Sequence, residues 1–254
     1  MKNIKNIKNI RYVIVSLLIL IGIWEVLFLV SDYSSALFPS PLMAFEALIE
    51  LITSGTLYKA IITSMVRFIT GFCLSVVVAV VLGLVLGCLP GVFNYVNPVL
   101  QLLRPISPTA WMPFIVLLFG IGDLPAIVII FIAAFFPVLL STVSAVGKID
   151  SIYFRVSENF GIKQPQITWK IILPAIFPAV ANAIHVSLGS AWIFLVAGEM
   201  VGAQSGLGYQ IIDARNNLRA DILLATILVI GIIGLLLDFL IGLLEKRVLR
   251  AWGG

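Results

Sequence analysis

The chain has 254 residues, 61% of them hydrophobic and 11% charged. A soluble domain carries about a quarter of its residues as charges, so this chain cannot coat a water-exposed globule and lipid is its expected solvent. The net charge of +4 does not point to nucleic acid, because the basic residues stand beside apolar runs, which is a membrane-orientation pattern.

In chain order, the opening residues Lys2, Lys5, Lys8 and Arg11 form a basic tail ahead of an apolar run. The run has no small-residue cleavage site after it and is read as an uncleaved first spanning helix, 12–31. Next, Ser40 is suited to cap a helix and Pro41 to begin one. Leu42, Phe45, Ile49 and Ile52 then make an apolar stripe, with Glu46 and Glu50 on another face and Gly55 as the stop. An amphipathic interfacial helix is expected here.

Five further apolar runs, at 59–89, 94–120, 124–147, 168–199 and 220–244, bring the expected spans to six. The second carries Gly71, Ser75, Ala79, Gly83 and Gly87 at every fourth position. Such a small-residue ridge serves either packing within the chain or a contact between subunits. Cys73 and Cys88 lie on the same run; roughly 22 Å of helix separates them, too far for a disulfide, and both are expected as buried packing residues. The third run contains Pro98, Pro105, Pro108 and Pro113 around Arg104. Proline removes backbone donors, and irregular backbone at membrane depth belongs in a protein-lined or watery interior.

Lys148, Arg155, Lys163 and Lys170 lie between runs four and five, and Lys246, Arg247 and Arg250 at the end. Six crossings place these groups and the basic tail on one side, the cytoplasm, with both termini. In the first cytoplasmic part, Asp150 or Ser151 starts a short helix, Gly161 provides a left-handed turn, and Pro165 begins a second helix toward Trp169. A helical elbow with apolar residues such as Ile152, Phe160, Ile162 and Ile167 is either a docking knob for another protein or an inert connector.

Ionisable residues in or near the spans are Arg67, Arg104, His185 and Glu199; charges there face a cavity or a partner. Arg104 is read as a positive surface on an anion path or as a structural arginine bonded to carbonyls freed by the prolines. Glu199 is expected to pair with an arginine. His185 is expected as a hydrogen-bonded residue of the packed interior, and Glu25 and Asp238 as packing or interface residues. With one histidine, no phosphate-cradling Gly-rich loop and no Cys/His cluster, neither metal nor cofactor is expected, and a membrane enzyme is disfavoured. An ion-gradient-driven transporter would show inverted repeats and a midplane carboxylate or histidine relay; no convincing repeat is visible.

Gly161, nine residues, then Ile171-Ile172-Leu173-Pro174 resembles the G-x9-I-x-L-P core of the signature of permease subunits of binding-protein-dependent ABC importers. Further pieces over about 39–250 resemble the branch importing nitrate, sulfonate, taurine or bicarbonate. They are Leu103-Arg104-Pro105, Phe119-Gly120-Ile121-Gly122, Phe136-Pro137, Ala197-Gly198-Glu199-Met200, Ser205-Gly206-Leu207-Gly208-Tyr209 and Asp213-Ala214-Arg215-Asn216. The signature's Glu-Ala-Ala would fall at 155–157, where this chain has Arg155, Val156 and Ser157, so a glutamate-specific contact is not carried over.

The resemblance implies an all-α, polytopic protein of the type I ABC importer permease fold, a single domain over 1–254, in the plasma (inner) membrane of a prokaryote. It implies two cytoplasmic ABC ATPases, a second permease copy as homodimer and an extracytoplasmic solute-binding protein, with lipid around them and no nucleic acid. The coupling segment would comprise Ser157, Glu158, Asn159, Phe160, Gly161, Ile162, Pro165, Gln166 and Ile167. The translocation path or gate would draw on Arg104, Ser107, Trp192, Glu199, Tyr209, Arg215 and Asn216. The expected cargo is a small solute, an anion such as nitrate, sulfonate, taurine or bicarbonate.

Overall fold

The computed structural model describes residues 2–31, 34, 36–150, 152, 153, 157, 159, 161 and 166–251. Its elements are α1 (Lys2–Val30), α2 (Pro41–Thr53), α3 (Thr56–Cys88), α4 (Pro90–Leu103), α5 (Met112–Phe119), α6 (Asp123–Gly147), α7 (Leu173–Gly202), α8 (Leu207–Asn216) and α9 (Ala220–Ala251). Among the described residues four helical stretches are long and apolar enough to cross a bilayer: Thr56–Cys88, Asp123–Gly147, Thr168–Gly202 and Ala220–Val248. Among the described residues α1 adds a shorter apolar helix, Val15–Val30, which lies within the run read from sequence as the first span, 12–31.

Residues 1–60 with 210–230 form one compact unit, and 61–209 with 231–254 another. In the first, the Ser40 hydroxyl accepts the Met43 N–H at 3.2 Å and caps α2. The stripe Leu42, Phe45, Ile49 and Ile52 is exposed, while Ala44, Ala47 and Leu51 are buried. The helix therefore packs through Ala44, Ala47 and Leu51 and offers the larger apolar stripe to lipid. Trp24 on α1 donates its indole N–H to the Pro39 carbonyl at 3.1 Å. Arg219 binds Asp221 at 2.8 Å and Glu50 at 2.7 Å; the two carboxylates, Asp221 foremost, push its pKa up.

The second unit is built around α6. A Cβ on Gly71 would lie 3.0 Å from that of Ile130, one on Gly83 2.6 Å from that of Thr142, and one on Gly87 2.7 Å from that of Val146. Ser75 donates to the Phe131 carbonyl at 2.9 Å, and Ala79 is enclosed with Val138 and Leu139. The small-residue ridge thus packs within the chain, and its members meet α6 in ascending order, so α3 and α6 run parallel. On the other side α7 runs antiparallel: Gly202 faces Pro125, Gly198 faces Ala126 and Ile129, and Ile172 and Ile176 pack with Val146. Likewise α9 runs antiparallel to α7, with Gly234 against Trp192 and Gly242 against His185.

Parallel α3 and α6 settle the third span. It is not one helix but α4, a tight 3-10 turn at Pro108–Trp111 and α5, bent by 84°. A re-entrant loop would return the chain to the side where α3 ended and make α6 antiparallel to it, so the pair crosses. The break has a steric cause: Pro108 lacks an N–H and its ring opposes the carbonyl four residues back, at Arg104. Ser107 before it is extended (φ −58°, ψ 134°).

Cys73 and Cys88 correct the sequence reading: both are exposed. Being small and apolar, a thiol facing lipid carries no penalty that would force it inward.

Candidate functional site

The bundle of the second unit has two ends, and each collects a different chemistry. At the end where α6 begins and α7 stops, Arg67 on α3 is 3% exposed and Glu199 on α7 fully buried. The Arg67 Nη1 donates to Glu199 at 2.7 Å and to the Ser205 carbonyl at 2.6 Å; Nη2 donates to the Ser205 hydroxyl at 2.7 Å and Nε to Asp123 at 2.7 Å. Glu199 also receives Ser64 Oγ at 2.8 Å and the Gly208 N–H at 2.9 Å. Ser64 Oγ in turn accepts the Leu207 N–H at 2.8 Å. The arginine expected opposite Glu199 is therefore Arg67, 132 residues away in sequence.

This knot ties the Ser205–Gly208 turn onto the end of α7. A Cβ on Gly206 (φ +101°) would collide with the Glu199 carboxylate, and one on Gly208 with the Val196 carbonyl. The two glycines, a weak motif by themselves, are thus what lets the turn close over the buried pair. Asp123 stays 67% exposed, so the cluster is dry inside and wet at its rim.

The other end holds a cavity of about 1040 Å³ between α4, α6 and α7. Its polar lining is Asn97, Gln101 and Arg104 on α4, Ser141, Ser144 and Lys148 at the C-terminal part of α6, and Asn182 and Ser190 on α7. Among the described residues no carboxylate lines it. Arg104, proposed from sequence, is therefore a cavity residue. Asn97 and Gln101 were not singled out in sequence, although their four-residue spacing on α4 was the available signal, and Lys148 was read there only for membrane orientation. Of the remaining path or gate candidates, Trp192 is buried edge-on against Phe68, and Ser107 hydrogen-bonds Thr109 at 2.8 Å. Tyr209 is half-buried, and Arg215 and Asn216 are exposed on α8.

Of the coupling candidates, Ser157 is buried and donates to the Tyr153 carbonyl at 2.6 Å. Asp150 accepts the Ile152 N–H at 2.9 Å. Asn159 and Gln166 are exposed, and Ile167 packs against Val146, Ile172, Ile176 and Val180. Gly161 has φ +67°, the left-handed turn read from sequence. Glu158, Phe160, Ile162 and Pro165 lie outside the described residues. The Leu-Pro exit has a backbone reason. Pro174 cannot donate to the carbonyl four residues back, and the chain widens into a π-turn over Thr168–Ile172, with the Leu173 N–H reaching the Thr168 carbonyl.

His185 is half-buried and meets two carboxylates, Glu245 at 2.7 Å on Nδ1 and Asp238 at 3.1 Å on Nε2. Asp238 is thus a partner of His185, and the histidine clasps α7 to α9. Among the described residues no group of His, Cys, Asp and Glu is arranged to hold a metal.

The family described as "Binding-protein-dependent transport system inner membrane component" matches residues 79–250. The chain belongs to that family. It is 30% identical over 244 residues to the taurine transport system permease protein TauC of Escherichia coli, covering 94% of this chain and 88% of TauC. It is also 30% identical over 246 residues to the nitrate import permease protein NrtB of Synechocystis sp., covering 93% and 88%. A chain of the MetNI methionine ABC transporter, solved in an inward-facing conformation, superposes with a TM-score of 0.58 at 22% identity, covering 85% of this chain and all of that one. The permease therefore has the type I importer fold, and the bent third span and paired α6 and α7 belong to its membrane core.

Proposed function

We propose that this permease forms half of a translocation pore with a second copy of itself. Two cytoplasmic ATPases grip the segment around 150–167, and a solute-binding protein delivers cargo at the Arg67 end. Both termini and the 148–167 segment lie in the cytoplasm; Lys148, Lys170, Lys246 and Arg247 gather at the α6 C-terminal end, in keeping with the excess of basic residues on that side. The permease hydrolyses nothing: ATP binding closes the ATPases, draws the coupling segments together and switches the pore between its two facing states.

The observation that carries this reading is the Gly161 turn and its exit. The turn is left-handed, and the helix after it is rooted through Ile167, Ile172 and Ile176 in the core against α6. A push on the elbow is thereby delivered to the helix pair that walls the cavity. The cargo class is a small solute with an oxyanion head, such as an alkyl sulfonate, nitrate, bicarbonate or the sulfonate end of zwitterionic taurine, supported by Arg104 on a cavity that no described carboxylate lines and by the taurine and nitrate relatives. The test is uptake into proteoliposomes holding permease, ATPase and binding protein. ATP-driven uptake that ignores a protonophore supports the reading; uptake driven by an ion gradient without ATPase refutes it.

A further inference from the structure

The cavity walls carry an order that goes beyond one arginine. On α4, Asn97, Gln101 and Arg104 follow at four- and three-residue steps; on α6, Ser141, Ser144 and Lys148 follow at three- and four-residue steps; all six line the cavity. Residues three and four apart share one helix face. The two helices run opposite ways, with Leu100 packed at the level of Val138 and Leu139. Arg104 therefore stands deep, at the bend of the third span, and Lys148 at the mouth, roughly 20 Å apart along the bundle at 1.5 Å per residue.

Between the two cations lie only neutral polar groups and apolar ones. Neither Arg104 nor Lys148 forms an ion pair among the described residues. The two amides are engaged at most with each other, Gln101 donating to Asn97 at 3.4 Å. An unpaired arginine within a span calls for a counter-charge, since charges at membrane depth face partners or water paths.

We infer that Asn97, Gln101, Arg104, Ser141, Ser144 and Lys148 form an anion ladder through which a monoanionic oxyanion passes from the bend to the α6 C-terminal mouth. The inference rests on the permease reading above and names the route within it. Each end supplies one full positive charge, matched to a single acidic head, and the rungs supply hydrogen-bond donors without trapping charge. Binding must be firm enough to admit the ion and weak enough to release it; one fixed cation at each end meets both needs. Phe93, Phe136 and Phe194 on the same walls leave an apolar side for a short organic tail, so an alkyl sulfonate fits both faces.

The test uses charge-selective thiol labelling in membranes containing the full chain with its ATPase. Cys73→Ser and Cys88→Ser remove the exposed native thiols, and Gln101→Cys or Ser141→Cys places a reporter on either wall. Two probes of similar size are compared, an anionic sulfonatoethyl and a cationic trimethylammonioethyl methanethiosulfonate, each normalised to its rate with a free thiol in solution. The field of two nearby cations favours the anionic probe by about tenfold or more, and Arg104→Gln with Lys148→Gln brings the ratio toward one. A ratio at or below one at both reporters, or one that ignores the loss of both cations, overturns the ladder. Those outcomes with ATP-driven uptake intact leave the permease reading standing, whereas uptake that needs no ATPase sinks that reading whatever the ratio.

Discussion

Arg67→Met isolates the buried knot. The variant keeps the apolar stem but removes the guanidinium and its four donor contacts, to Glu199, Asp123 and both oxygens of Ser205. Glu199, with no exposed surface, keeps only Ser64 and the Gly208 N–H. Removing one partner of a buried pair costs about 3–5 kcal/mol, because the other charge is left uncompensated. At about 2–4 °C per kcal/mol for a protein of this size, the melting temperature falls by about 6–20 °C. The assay is thermal unfolding of the detergent-solubilised permease, followed by loss of the monodisperse peak. Adding Glu199→Gln removes the stranded charge, so the double variant loses less than the sum of the singles, with a coupling of about 0.5–3 kcal/mol. A fall below about 3 °C, or strict additivity, refutes the claim that the pair holds the Ser205–Gly208 turn to α7.

Other variants test separate contacts. Gly83→Leu forces a side chain where a Cβ alone would sit 2.6 Å from that of Thr142 and is expected to destabilise by about 1–3 kcal/mol; Gly189→Ala, with nothing within 4 Å, is neutral or stabilising by up to about 1 kcal/mol, both read by the same melt. Gly161→Val strains a residue at φ +67°, a conformation costing L-residues roughly 1–2 kcal/mol; the protein still inserts, while ATPase retained in pull-downs drops, and unaltered pull-down with intact uptake counts against the coupling role. His185→Leu leaves Asp238 and Glu245 unpaired and lowers the melting temperature, and Asp238→Asn with Glu245→Gln restores most of it. Arg219→Gln breaks contacts whose partners Glu50 and Asp221 are 55% and 20% exposed, so it costs less than about 1 kcal/mol, and added salt narrows the difference. Because both carboxylates raise the Arg219 pKa, its contribution stays present throughout the neutral range.

Sequence by itself settled what depends on solvent and on neighbours along the chain. Too few charges mean lipid; runs of apolar residues mean helices; Ser40-Pro41 marks a start, Gly55 and Gly161 mark turns, and prolines around Arg104 mark an irregular span. These are local consequences of side-chain transfer energy and backbone sterics, and they hold whatever the rest of the chain does. The same rules say little about which face of a lipid-solvated helix turns inward, since both faces are apolar. Cys73 and Cys88, expected inside, stand exposed, and the Gly71–Gly87 ridge could not be assigned a partner until α6 stood against it. Only the tertiary structure decided that Arg67 is the partner of Glu199, that Asp238 belongs to His185, that the bent pair crosses the membrane, and that Lys148 shares a cavity with Arg104. Each joins residues far apart in sequence. The pairing is fixed by helix direction and by the need to satisfy buried charge, and neither is written in any short stretch of residues.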